Sequence, residues 1–374
     1  MTAKARQLPI DALKVIASQL IVLHHLSAYG PVADTLSQSA PVLMGWLYDY
    51  ARMAVQVFLV VGGYLAAASL TPGNPLKHAL KPPLKRAHSP LHAVLKRYRR
   101  LVLPCLAALV LAVASAALAR HWMDEAFVPA APTWAQSVAH VFLLQGLLNH
   151  DALSAGVWYV AIDFQLFVLM TLLMWLGQRR HRTPNTDQSI GPGLAQTMVL
   201  GLVLSLMLAS LFFFNRDPAW DNWAIYFFGA YGMGAAAFWA GGSRRPALHL
   251  GLLMVTGGVA LTLEFRERIA LALAVALLLG LWRWGRSSPD WRHVLHLKSQ
   301  ILPPVLPRLL HQLGQSSYAL FLVHFPVLML GNALFVKLGL SGPVAAAWVM
   351  LACWATSLAL AQAFERWVEA PLAR

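Results

Sequence analysis

The sequence predicts an all-α polytopic membrane protein of about ten transmembrane helices, with both termini in the cytosol. Hydrophobic residues make up 58% of the 374 and charged residues only 12%, far from the balance of a soluble domain. Apolar stretches of about 20 residues, the length that crosses a bilayer, recur along nearly the whole chain. The 29 Lys and Arg residues are segregated among the connections between those stretches.

The expected spans are 10–29, 51–70, 101–119, 154–177, 195–214, 222–240, 247–264, 268–284, 316–336 and 343–364. Alternate connections form two sets. The N-terminus, 71–100, 178–194, 241–246, 285–315 and the C-terminus, with Arg283, hold 22 of the 29 basic residues. The other set holds five: Arg120, Arg216, Arg266, Arg268 and Lys337. By the positive-inside rule this split places both termini in the cytosol of a cell whose inner (plasma) membrane the chain crosses many times. The net charge of +14 is then a signature of topology, and no nucleic-acid partner is expected. With apolar stretches filling its length, the chain reads as one integral domain, 1–374. The first apolar stretch lacks a small-residue cleavage pattern and is expected to stay in the mature protein.

Two connections do more than turn the chain. Residues 71–100 combine five prolines with eight Lys or Arg and read as an irregular segment running into a basic helix start. Residues 134–148 are too short and too polar for a span, and an interfacial or re-entrant helix fits them better. Cys105 and Cys353 fall inside apolar stretches, which implies packing roles; there is no disulfide framework and no sign of a metal site.

Ionisable residues at bilayer depth are expensive and read first as functional. The first span holds Asp11, Lys14, His24 and His25. Lys14 and His25 are eleven residues apart, which on a helix returns to within about 20° of the same face with a rise of about 16 Å. The competing structural reading has Asp11 and Lys14 neutralising each other at the rim while a histidine lines a helix contact. The second span carries Gln56 and the Gly62–Gly63 pair, which close helix packing alone explains. Arg97 and Arg100, at i and i+3 before the third span, share a helix face. Guanidinium forks suit phosphate recognition, although anchoring at the cytosolic rim accounts for them equally well. In the fourth span Asp163 and Gln165 lie among large apolar groups, where a carboxylate must be paired, protonated or solvated. Late in the chain Tyr318 and His324, six residues apart, lean to opposite faces and need not share a partner. A histidine just before Pro326 has a structural use of its own, bonding a carbonyl that the proline frees.

Taken in order, these segments resemble the acyltransferase-3 family, integral-membrane enzymes that move acyl groups, often acetyl from acetyl-CoA, onto carbohydrates and other extracytoplasmic acceptors. The resemblance spans almost the whole chain. It rests on Asp11, Leu13, Lys14 and His25; on Phe58 through Gly62, Gly63 and Tyr64; and on Arg97, Arg100 and Pro104. It continues in Trp158, Asp163 and Gln165; in Gly314, Ser317, Tyr318, His324 and Pro326; and in Glu369 and Pro371. Three positions depart from the family pattern: Lys14 stands where arginine is usual, Asp163 where glutamate is common and Gly62 where serine is common.

The resemblance implies acyl transfer from cytosolic acyl-CoA, expected to be acetyl-CoA, to a hydroxyl or amine of a glycan or other acceptor at the outer face. No bound cofactor is expected, the donor being a substrate. His25 is the expected general base, since an unperturbed imidazole pKa of about 6.5 suits proton removal near neutrality. Lys14, Arg97 and Arg100 are expected to bind the acyl-CoA phosphates. Asp11, Asp163, Gln165, Tyr318 and His324 are expected to orient His25 or to bind substrate. The competing class is a transporter or flippase using the intramembrane charges as an ion path. The chain shows no inverted repeat of the kind many transporters carry.

Overall fold

The computed structural model describes residues 8–71, 89–179, 192–287 and 305–372. Most of the proline-rich, basic stretch expected to be irregular lies outside these residues, as do 180–191 and 288–304 of two further basic connections. Among the described residues every regular element is helical. In order these are α1 (Leu8–Ala28), α2 (Gly30–Ser39), α3 (Pro41–Asp49), a 3₁₀ turn (Ala51–Ala54), α4 (Val55–Leu70), α5 (Pro90–Ala119), α6 (Trp134–Val141) and α7 (Val157–Arg179). There follow α8 (Pro192–Phe212), two short 3₁₀ turns, α9 (Ala224–Gly241), α10 (Pro246–Leu263), α11 (Glu267–Ser287), α12 (Val305–Gln315), α13 (Ser317–Lys337) and α14 (Pro343–Phe364). Six helices, α2, α3, α5, α8, α10 and α14, carry a proline at their first or second residue, where its missing N–H is no loss.

Nine helical segments among the described residues are long and apolar enough to cross a membrane. The remaining expected span, 222–240, is α9, which falls outside that set. Four glycines, two tyrosines and a tryptophan take the place of aliphatic side chains there. Three boundaries moved outward. The second span begins at Pro41, because α3 and the 3₁₀ turn continue into α4; the third begins at Pro90; the last runs on to Leu372. The expected helix at 134–148 stops at Val141, its start fixed by a capping box in which Thr133 and Gln136 satisfy each other's backbone amides.

The chain divides into two compact units, each assembled from separate stretches. The first takes Gln56–Arg97 and Ile162–Pro303, and within it α9 packs against α8, α10 and α11. The paired glycines of α4 serve this packing. A Cβ on Gly63 would fall inside the carbonyl of Tyr231, and one on Gly234 inside the carbonyl of Val60, so the backbones of α4 and α9 touch where side chains would hold them apart. Arg266 braces α8 and the start of α11: Nη1 donates to Asn215 Oδ1 at 2.8 Å and Nη2 to the Leu211 carbonyl at 2.9 Å. Asn215 in turn donates to the Tyr226 carbonyl of α9 at 3.0 Å.

The second unit takes Gln7–Val55, Tyr98–Ala161 and Pro304–Arg374. Here α1 packs against α3, α12 and α13, and α14 against α13 and α2. Asn332 of α13 ties down the start of α2: its Oδ1 accepts from Val32 N at 3.0 Å, and its Nδ2 donates to the Leu328 carbonyl at 3.1 Å.

Gly63→Ala should destabilise the protein by about 1–3 kcal/mol, the scale of forced overpacking, and lower its melting temperature in detergent. Gly62→Ala should be much milder, because its Cβ would meet only side-chain atoms, Tyr231 Cε2 at 3.2 Å and Asp163 Oδ1 at 3.3 Å. Equal melting temperatures for the two variants would refute the backbone contact as the reason for the pair.

Candidate active site

Two buried histidines meet in the second unit. His25 lies in the last turn of α1 and His324 in the middle of α13, 7% and 1% exposed. His25 Nδ1 stands 2.7 Å from His324 Nε2, and His324 Nδ1 stands 3.0 Å from the Leu320 carbonyl. The ring centroids are 4.9 Å apart with planes 16° from parallel, so the imidazoles meet edge to edge along the hydrogen bond.

This geometry assigns the protons of the neutral pair. A carbonyl oxygen only accepts, so His324 Nδ1 carries a hydrogen. The Nε2 of neutral His324 is then an acceptor, and His25 Nδ1 must donate to it. His25 is left with its lone pair on Nε2, free to take a proton or to attack an electrophilic carbon. The structural use expected for His324, a bond to a carbonyl freed by Pro326, is not the one its Nδ1 serves. Pro326 lacks the N–H that would meet Leu322, four residues back, whereas His324 bonds Leu320.

His25 stacks on Tyr29 at 5.8 Å and meets Phe325 edge-on at 6.4 Å. Phe127, from the connection after α5, packs against Tyr29 at 5.8 Å. None of these aromatics stood out in the sequence, since aromatic rings are common throughout an apolar chain and Phe127 is a hundred residues away. His24 turns to α3: its Nδ1 donates to the Leu47 carbonyl at 3.3 Å and its ring lies 5.9 Å from Tyr48. Adjacent histidines thus serve different neighbours, as the 100° step of a helix requires.

At the N-terminal end of α1 the Asp11 carboxylate, 5% exposed, accepts from His311 Nδ1 of α12 at 3.0 Å. His311 Nε2 then accepts from Gln315 Nε2 at 3.1 Å. The partner seen on the Asp11 carboxylate is His311. Gly314 is the residue that lets α12 lie this close, because a Cβ there would sit 3.0 Å from the Asp11 Cβ. Lys14 and Arg100 are both charged neighbours of Glu369, at the end of the chain.

Arg97 and Arg100 share α5 but face different partners. In the first unit Arg97 Nη2 donates to Asp163 Oδ2 at 2.5 Å, and its guanidinium sits 5.4 Å from the Phe167 ring centre. Asp163 is thereby a partner of Arg97. Gln165, two residues on, is half-buried on α7. Tyr318 donates to the Leu101 carbonyl at 2.7 Å, a different partner from that of His324, as the six-residue spacing allows.

The fold and these polar pairs define a multi-span helical protein with a tautomer-fixed histidine pair inside it. The acyltransferase-3 domain model matches residues 8–365, and the chain belongs to that family of membrane acyltransferase domains. No curated protein and no solved structure matches the chain.

Histidine-selective ¹⁵N labelling tests the tautomer assignment. At neutral pH both His25 and His324 should show a protonated Nδ1 and an unprotonated Nε2, identified by comparison with His25→Asn and His324→Asn. A protonated Nε2 on neutral His25 would reverse the assignment.

Proposed function

We propose that this acyltransferase moves an acyl group, acetyl in the first instance, from cytosolic acyl-CoA to a hydroxyl or amine of an acceptor at the outer face. The observation that carries the reading is the free Nε2 of His25, backed by His324 and the Leu320 carbonyl. As general base, His25 takes the acceptor's proton at Nε2 while the acceptor oxygen or nitrogen attacks the thioester carbon. The proton then passes to the departing CoA thiolate. The imidazolium formed on the way keeps its Nδ1–H bonded to His324, which holds the ring in place through the cycle.

Family membership supports acyl transfer, and two chemical features support CoA as the donor. Its polyanionic head needs cations, which Lys14 and Arg100 supply around one locality, with Arg97 one turn from Arg100 on the same helix. Its long flexible arm suits a separation between those cations and a base eleven residues up α1 from Lys14. The charge split supports an inner-membrane orientation with both termini and the cations on the cytosolic side, and the acceptor reaching His25 from the other.

His25→Ala in purified, reconstituted protein should lower acyl transfer from acetyl-CoA by at least about 10²–10⁴-fold, the range for general-base loss. CoA binding should stay unchanged, and His24→Ala should retain activity. Near-normal transfer by His25→Ala would sink this mechanism.

Orientation has its own check. Ser89→Cys and Ala126→Cys lie in connections of opposite sets, and the native Cys105 and Cys353 are buried. An impermeant thiol reagent on intact cells should label position 126 and spare 89; the reverse pattern would invert the topology.

A further inference from the structure

Glu369 stands apart from the machinery described so far. Helix α14 ends in a π turn, Glu365–Glu369, before a last short helical stretch, Ala370–Leu372. π turns are rare, re-aim the side chains that follow and concentrate at functional positions. This one places the Glu369 carboxyl beside Arg100 of α5, Lys14 of α1, the backbone of Ala319 on α13 and its own neighbour Glu365. Glu369 Oε2 is buried and meets no donor among the described residues.

A carboxylate with a buried, unbonded oxygen among two cations and a second carboxylate is a poor structural choice. The arrangement makes sense when the cations have a stronger occupant in the working state. Resting on the reading that Lys14 and Arg100 receive the donor's phosphates, we propose that Glu369 is the internal counter-anion of the donor site. It occupies the field of these two cations when the donor is absent. When a phosphate of acyl-CoA enters, Glu369 takes up a proton from solvent and withdraws its charge. Donor binding is thereby coupled to proton uptake, and Glu369 holds Lys14 and Arg100 in place between turnovers.

The coupling is measurable with free coenzyme A as the probe and the full-length protein in lipid nanodiscs. Binding enthalpies at pH 7.5 in buffers of different ionisation enthalpy give the protons exchanged per ligand. Wild-type protein should take up a proton on binding, and Glu369→Asp should keep that uptake. Glu369→Gln should abolish it and bind CoA about tenfold more tightly, because one like charge has been removed from beside the phosphate. The advantage of Glu369→Gln should shrink as the pH falls towards 6, where the wild-type carboxyl protonates more readily.

Weaker CoA binding by Glu369→Gln, or proton uptake that persists in it, overturns the proposal and leaves Glu369 a plain structural partner. Lys14→Ala and Arg100→Ala separate this from failure of the donor-site reading. If both bind CoA as wild type does, the cations are not phosphate ligands and the whole donor assignment falls. If both weaken binding while Glu369→Gln behaves as wild type, only the counter-anion role falls.

Discussion

Two neutral imidazoles joined by a hydrogen bond can share only one proton on the line between them, so something outside the pair must decide which ring donates. Here the decision belongs to the Leu320 carbonyl. It fixes the hydrogen on His324 Nδ1, which fixes the acceptor at His324 Nε2, which fixes the hydrogen on His25 Nδ1. Every step is a single hydrogen bond in an apolar surrounding, where the alternative is an unsatisfied polar atom. The unprotonated nitrogen of His25 on α1 is therefore set by a backbone oxygen of α13, through the packing of those two helices. Unlike an aspartate in the same position, the orienting group is neutral: it holds the ring and its tautomer without adding a negative charge to stabilise the imidazolium.

The same economy governs the other charges of this apolar chain. Asp11 is held by His311, Asp163 by Arg97, and Arg266 by an asparagine and a carbonyl. Each pairing joins residues far apart in sequence, so each fixes a helix contact as well as satisfying a charge. Burial makes such pairs costly to break from one side, because removing one partner strands the other. Glu369 is the carboxylate that leaves a buried oxygen without a donor among the described residues, whereas the unmet buried atoms of Arg97 and Arg266 are donors.

Much of the architecture was legible from hydropathy alone, because length and apolar content are what a bilayer selects. The helices at 30–49 were not, since they are short and lie where alternation required only a connection. Span 222–240 was legible as a helix, though its glycines and aromatics serve contacts with α4 and α8 that dilute its hydropathy. For the histidines, periodicity explains why His25 and His24 meet different helices, because a 100° step turns neighbours apart. It could not name partners. His311 sits in what read as a cytosolic connection, and nothing in its local sequence points to Asp11, three hundred residues away. Arg97 and Arg100 show the same limit from the other side: i and i+3 spacing puts two residues on one face, yet long side chains from one face reach different neighbours.

The three departures from the family pattern also look different once placed. Gly62 and Asp163 are distant in sequence, but a Cβ on Gly62 would lie 3.3 Å from Asp163 Oδ1. A serine at 62 would bring its hydroxyl to the carboxylate that receives Arg97, and a glutamate at 163 would push that carboxylate a methylene further out. The absence of the one and the shortening of the other alter the same few ångströms around the Arg97 guanidinium, and the close Arg97–Asp163 contact survives in their presence. Lys14 is a separate matter: an ammonium near Glu369 keeps the charge of arginine without its two-pronged grip. On the proposed donor reading, a point charge is the easier cation to exchange between a carboxylate and an arriving phosphate, since no bidentate geometry has to be broken first.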